Sequence, residues 1–315
     1  MPLRSLVTQL RDAALTGELL QRSERDDRLL LRGAGRISRA LLASALAQRD
    51  KRPLLVVVPT LEEAGRWTAL LELMGWSSAS LYPTSEGSPY EPFDPTSEII
   101  WGQLQVLSDL IGTEDPATKA IVATERCLQP HLPPRESLEA ICRTLKKGDE
   151  IDLDDLADTL ARLGYERVST IDQEGTWSRR GDIVDIYPVS SELPVRLEFF
   201  GEELDKLREF DPATQRSLDP VERLQLTPTG FGPLVADQLR DSMPEGLDRL
   251  LGDEATEELL EGGTPEGLRR LMGLAWGQPA CLLDYLPTST SVVVDERRHG
   301  PVSYTHLTLP TILLV

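Results

Sequence analysis

The chain has 315 residues, more than one hydrophobic core usually organises, so two or three domains are expected. Its 33 basic and 52 acidic residues leave a net charge of −19, which gives no general attraction to nucleic acid or an anionic membrane and disfavours unaided DNA binding, although a local basic patch is compatible with it. Cys127, Cys142 and Cys281 lie far apart without CxxC spacing, which argues against a disulfide framework or zinc site and for buried thiols in a reducing cytosol.

No apolar run is long enough to span a bilayer, and the N-terminus lacks a signal-peptide core, so a cytoplasmic protein is expected. Leu3, Leu6, Leu10, Ala13, Ala14 and Leu20 recur at helical spacing and predict an amphipathic helix over 3–20. Leu29-Leu30-Leu31 predicts a short buried strand entering a glycine turn at Gly33 and Gly35. A helix is expected over 38–48, then a continuous apolar strand over 54–58 of the type covered on both faces. Helix 61–74, strand 79–82, a Pro/Ser-rich loop over 83–97, helix 97–111 and a buried strand at 120–123 follow. Strands alternating with helices argue for a parallel α/β sheet.

The pattern breaks at 129–134, where prolines interrupt the periodicity. Asp152 is placed to cap a helix whose Leu153, Leu156, Ala157, Leu160 and Leu163 share one face, with Gly164 ending it. Over 167–210 short alternating strands between glycine and proline turns predict antiparallel sheet. Helices are expected at about 233–250, 253–262 and 265–273, before a strand at 291–295 that can complete the first sheet. The expected domains are therefore 1–128, a small α+β domain at 129–211, and 212–299. Residues 300–315 contain no acidic residue and end on an apolar run; they are expected to be a non-native tail from adapter or frameshifted sequence.

Gly33-Ala34-Gly35-Arg36-Ile37-Ser38-Arg39-Ala40 sits between strand and helix, where a phosphate-binding loop would. Such a loop needs Gly-x-x-x-x-Gly-Lys-[Ser/Thr]: amides to cradle phosphate, a lysine for the β/γ oxygens, and a hydroxyl for Mg²⁺. Here Ser38 replaces the second glycine, Arg39 the lysine and Ala40 the hydroxyl residue. Tight nucleotide binding and hydrolysis are expected to fail, and the turn reads as vestigial or purely structural. Outside the last segment only His131 and His299 are available, too little for a His-based zinc site or a Ser-His-Asp triad. Asp182 and Asp185, three apart on a predicted strand, face opposite ways, while Asp152, Asp154, Asp155 and Asp158 decorate a helix N-terminus; both groups read as structural or solvated. No catalytic residue, metal or cofactor is assigned.

The strand Val195-Arg196-Leu197-Glu198-Phe199-Phe200 is different. Period-two geometry puts Val195, Leu197 and Phe199 on a core face and Arg196, Glu198 and Phe200 on the other. Strands near 176–180 and 182–187 bring Arg180 into the same sheet. Two readings stand side by side: Phe200 rolls into the core while both arginines are solvated, or the three residues form a recognition face. An aromatic anchor flanked by arginines is what protein interfaces enrich.

Three stretches carry a resemblance: Arg180-Gly181-Asp182-Ile183-Val184-Asp185-Ile186-Tyr187-Pro188, Leu193-Pro194-Val195-Arg196-Leu197-Glu198-Phe199-Phe200-Gly201, and Phe210-Asp211-Pro212-Ala213-Thr214-Gln215-Arg216-Ser217. With Pro89-Tyr90-Glu91-Pro92-Phe93-Asp94-Pro95, they make the chain resemble, over roughly 1–299, the N-terminal region of the bacterial transcription-repair coupling factors (Mfd), itself similar to the excision-repair protein UvrB. The resemblance implies UvrB-like domains 1A (1–128), 2 (129–211) and 1B (212–299), with domain 2 recruiting UvrA through Arg180, Arg196 and Phe200. It also implies a degenerate P-loop at Gly33, Gly35, Ser38, Arg39 and Ala40, in a non-catalytic module of nucleotide excision repair. The family's RNA-polymerase-binding domain, double-stranded DNA translocase and C-terminal masking domain have no counterpart in these residues, so polymerase and DNA are expected as partners only through such parts. A UvrB-like nucleotide- and DNA-binding helicase fragment is the alternative, and it would require a competent P-loop. A module that binds double-stranded DNA directly is a third reading, against which the net charge argues.

Overall fold

The computed structural model describes residues 3–26, 28–85, 95–112, 115–295 and 311–314. The motif at 89–95, apart from Pro95, lies outside the described residues, as do 300–310 and 315 of the expected foreign segment. The strands are β1 (Arg28–Leu31), β2 (Leu54–Val58), β3 (Ser78–Tyr82), β4 (Lys119–Thr124), β5 (Arg143–Lys146), β6 (Glu166–Arg167), β7 (Thr176–Arg180), β8 (Ile183–Tyr187), β9 (Val195–Phe200), β10 (Glu203–Phe210), β11 (Ser217–Pro220), β12 (Arg223–Leu226), β13 (Ser291–Asp295) and β14 (Thr311–Leu314). The longer helices are α1 (Leu3–Asp12), α2 (Ala14–Asp26), α3 (Arg36–Arg49), α4 (Leu61–Leu71), α5 (Ser97–Gly112), α6 (Arg135–Ile141), α7 (Leu153–Arg162) and α8 (Gly232–Ser242). They fall into two compact units: Met1–Glu86 with Thr113–Gln129 and Cys281–Val315, and Gly87–Gly112 with Pro130–Ala280.

The first unit is a parallel sheet in the order β1-β14-β13-β2-β4-β3. β2 and β13 are buried along their whole length, which is why their sequences are continuous apolar runs and not alternating ones. Leu54, Val56 and Val58 on β2, with Ala120 and Val122 on β4 and Val293 on β13, pack against Val7, Ala43, Leu46, Trp67 and Leu71 of the helices. The expected helix over 3–20 is two helices. The chain breaks at Ala13, where Thr16 Oγ1 donates to the Leu10 carbonyl and the Arg49 guanidinium caps the Arg11 and Ala13 carbonyls at 2.9 and 3.0 Å. α4 starts at Thr60, whose hydroxyl accepts from the Glu63 amide.

The second unit is built on a six-stranded sheet in the order β11-β10-β9-β8-β7-β6, antiparallel except for the β6–β7 pair. Its inner face (Trp177, Val184, Ile186, Val195, Leu197, Phe199) packs on Leu156 and Leu160 of α7, on Leu163 at the C-cap of that helix, and on Leu145, Leu224 and Leu226 of the β5–β12 ribbon. α6 and β5 have no clear sequence signal: each is short, and β5 exists by virtue of its pairing with β12. Asp152 caps α7 as expected, accepting from the amides of Asp154 and Asp155. The helix expected at 233–250 is shorter than predicted; α8 ends at Ser242, before Pro244, and a separate turn of helix spans Leu247–Leu251.

Candidate functional site: the outer face of the antiparallel sheet

Two tight turns set the geometry. Gly181 (φ +63°) opens the two-residue turn between β7 and β8, and Gly201 (φ +67°) opens the one between β9 and β10. Glycine takes this left-handed conformation without the Cβ clash other residues meet. Both turns lie at the same end of the sheet, so Arg180 at the end of β7 and Phe200 at the end of β9 emerge there, two strands or about 10 Å apart.

Cross-strand register then aligns two rows on the outer face: Arg180–Ile183–Glu198–Lys206 and Ser178–Asp185–Arg196–Arg208. Residues directly opposite in register share a face. Together the rows carry four cations and two carboxylates, a local excess of positive charge on a strongly acidic chain.

Phe200 does not roll into the core: it is 82% exposed, while its neighbour Phe199 is buried. Ile183, diagonal to it across β8 and β9, is exposed as well. The arginines are not simply solvated either. Asp185, 1% exposed, accepts from Arg196 Nε at 2.7 Å, Arg196 Nη2 at 2.9 Å and Arg180 Nη2 at 2.9 Å. The Arg196 side chain is 15% exposed, lies over the Phe210 ring at 4.8 Å and also reaches the Gln215 carbonyl. Its hydrogen bonds to Asp185 hold the guanidinium above its ordinary pKa, against partial burial. Arg180 is 58% exposed and spends one N–H on the same carboxylate. The three predicted residues thus share one face with different roles: Phe200 and Arg180 project outward, and Arg196 is built into the sheet.

Sequence reasoning overlooked Asp185 as the centre of this cluster. Its signal was a lone carboxylate in an otherwise apolar strand, in phase with Ile183 and Tyr187 and so on the Arg196 face. Asp182, by contrast, lies in the turn, where its carbonyl accepts from the Phe199 amide.

The glycine turn of the first unit is a second candidate. Gly33 (φ +78°) turns the chain and Gly35 is the N-cap of α3. Arg39 Nε donates to the Ala34 carbonyl at 2.7 Å, and its Nη1 pairs with Asp295 at the end of β13. Asp295 is buried and also accepts from Trp67 Nε1 at 2.7 Å. Ala40 is fully buried, and Arg36 pairs with Glu63. The guanidinium in the phosphate-lysine position is committed to the protein itself. Among the described residues, no group of three or more His, Cys, Asp or Glu is placed to hold a metal, and no helix is long and apolar enough to cross a membrane.

Residues 144–230, from β5 through β12, match the family described as UvrB interaction domain. The chain is 31% identical to the transcription-repair-coupling factor of Bacillus subtilis over 287 residues, covering 85% of the chain and 24% of that relative. It is 31% identical to the one from Mycobacterium tuberculosis over 312 residues (94% and 25%) and 28% identical to that of Escherichia coli over 262 residues (81% and 22%). The chain spans about a quarter of the length of these relatives. Over most of its own length it is therefore similar to the N-terminal region of the transcription-repair-coupling factors, and its antiparallel sheet lies within the stretch that matches the UvrB interaction domain family.

Proposed function

We propose that the chain is a non-catalytic recruiting module that binds UvrA through the outer face of the β6–β11 sheet and so links stalled transcription to nucleotide excision repair. The observation that carries this reading is Phe200, a large aromatic side chain 82% exposed beside the outward-facing Arg180 in the middle of a UvrB interaction domain. An exposed phenylalanine held on a rigid turn costs little conformational entropy to bury and supplies desolvated area to a partner. Arg180 keeps donors for a partner carboxylate, while Arg196 supports the face from within.

The division into domains 1A (1–128), 2 (129–211) and 1B (212–299) belongs to the same proposal, with 1A and 1B as scaffold. ATP-driven translocation and polymerase contact fall, on this reading, to the rest of the relatives' length, and residues 33–40 bind no nucleotide because Arg39 holds Asp295. A UvrB-like helicase fragment would need that site to accept a triphosphate.

Titration of the purified chain with UvrA tests the proposal. Phe200→Ala and Arg180→Ala should each weaken binding by ~2 kcal/mol or more, about thirtyfold, with the unfolding midpoint unchanged. Arg196→Ala should weaken binding and also lower stability. Wild-type affinity in the Phe200→Ala/Arg180→Ala double variant rules the reading out.

A further inference from the structure

We propose that Arg208 is a further contact residue of this face and grips an acidic group on the partner that the sheet docks; the inference rests on the partner-binding reading of the outer face. Arg208 lies on β10 directly opposite Arg196 on β9, and on its other side it is paired with Pro220 of β11. Two like charges directly opposite each other in a sheet are destabilising unless a counter-charge intervenes. Asp185 supplies that counter-charge to Arg196 and Arg180, and both its oxygens are taken by them. Glu198, diagonal to Arg208, is engaged by Lys206 at 3.3 Å. Arg208 itself makes no side-chain hydrogen bond or ion pair among the described residues and is partly exposed.

The row Ser178–Asp185–Arg196–Arg208 therefore ends in a guanidinium that its own fold leaves uncompensated. A planar fork with all its donors available, next to a cluster whose carboxylate is already spent, fits a carboxylate or carboxylate pair on a partner surface. With Phe200 and Arg180 at one end of the face and Arg208 further along β10, the contact extends from the turn edge into the body of the sheet.

The test uses the full chain with purified UvrA as probe. Arg208→Ala should lower affinity about fivefold and Arg208→Glu more than tenfold, the range of a charged interface contact, chiefly through a slower, less salt-dependent association. Neither variant should lower the unfolding midpoint, and Arg208→Ala should hold or raise it, because the repulsion with Arg196 is relieved. A residue with a merely structural role would lose stability and affinity together. Unchanged affinity in Arg208→Ala, with Phe200→Ala and Arg180→Ala impaired, overturns the role of Arg208 alone. Unchanged affinity in all three overturns both this inference and the reading beneath it. A fall in stability that accounts for the lost binding also overturns the contact role.

Discussion

Replacing Asp185 by alanine isolates the energetics of the cluster beneath the candidate interface. The substitution removes three charge-assisted hydrogen bonds from a carboxylate that is 1% exposed. Arg180, at 58% exposed, behaves as a surface partner, and its share is about 0–1 kcal/mol. Arg196 is different: at 15% exposed it is left with an uncompensated, largely desolvated charge, a situation that costs about 3–5 kcal/mol. Its place over Phe210 and its residual contact with water move the expected total to the lower end, about 3 kcal/mol. Urea unfolding should show this as a lower midpoint at unchanged slope. The Asp185→Ala/Arg196→Met double variant should recover much of the loss, since removing both charges eliminates the stranded one. A loss below about 1 kcal/mol in Asp185→Ala, or a double variant worse than the single one, would refute the assignment of Asp185 as the anchor of this face.

In the first unit, Asp295→Ala should cost about 3 kcal/mol by stranding Arg39 and leaving the Trp67 N–H unpaired in the core; thermal unfolding measures it, and a shift of less than a few degrees contradicts the network described. Acid stability should depend on the α7 cap. The amides of Asp155 and Asp154 hold the Asp152 carboxyl below its ordinary value of 3.8, so its contribution is fully present above that value and is lost as pH falls through the lower folded value. Asp152→Asn should make the urea midpoint less steep with pH below about 4, and an unchanged slope there argues against the cap as a titrating element.

The parallel sheet was legible because β2 and β13 are unbroken apolar runs, and only strands covered on both faces read that way. The outer face of the second sheet was legible in part. Alternation placed Arg196 and Phe200 together, and the strand pair near 176–180 and 182–187 brought in Arg180. Which of them points outward was not legible, because it depends on Asp185, eleven residues from Arg196 in sequence but its direct neighbour in register. Arg208 escaped notice for a similar reason: a β-bulge between Leu204 and Lys206 shifts the phase of β10, so simple alternation from its start puts later residues on the wrong face. The break between α1 and α2 was hidden too, since it is fixed by Arg49, far along the chain. Long-range polar partners decide these points, and periodicity does not encode them.

The contact of Arg39, Asp295 and Trp67 ties the glycine turn to the end of β13. A lysine at position 39 drawn forward onto a phosphate could not also serve Asp295, and the buried carboxylate would keep the Trp67 N–H as a donor but lose its counter-charge. A hydroxyl placed at position 40 would enter a fully buried site. A ligand at this turn would therefore meet a guanidinium already committed to the sheet, and drawing it away would leave a buried carboxylate without its counter-charge.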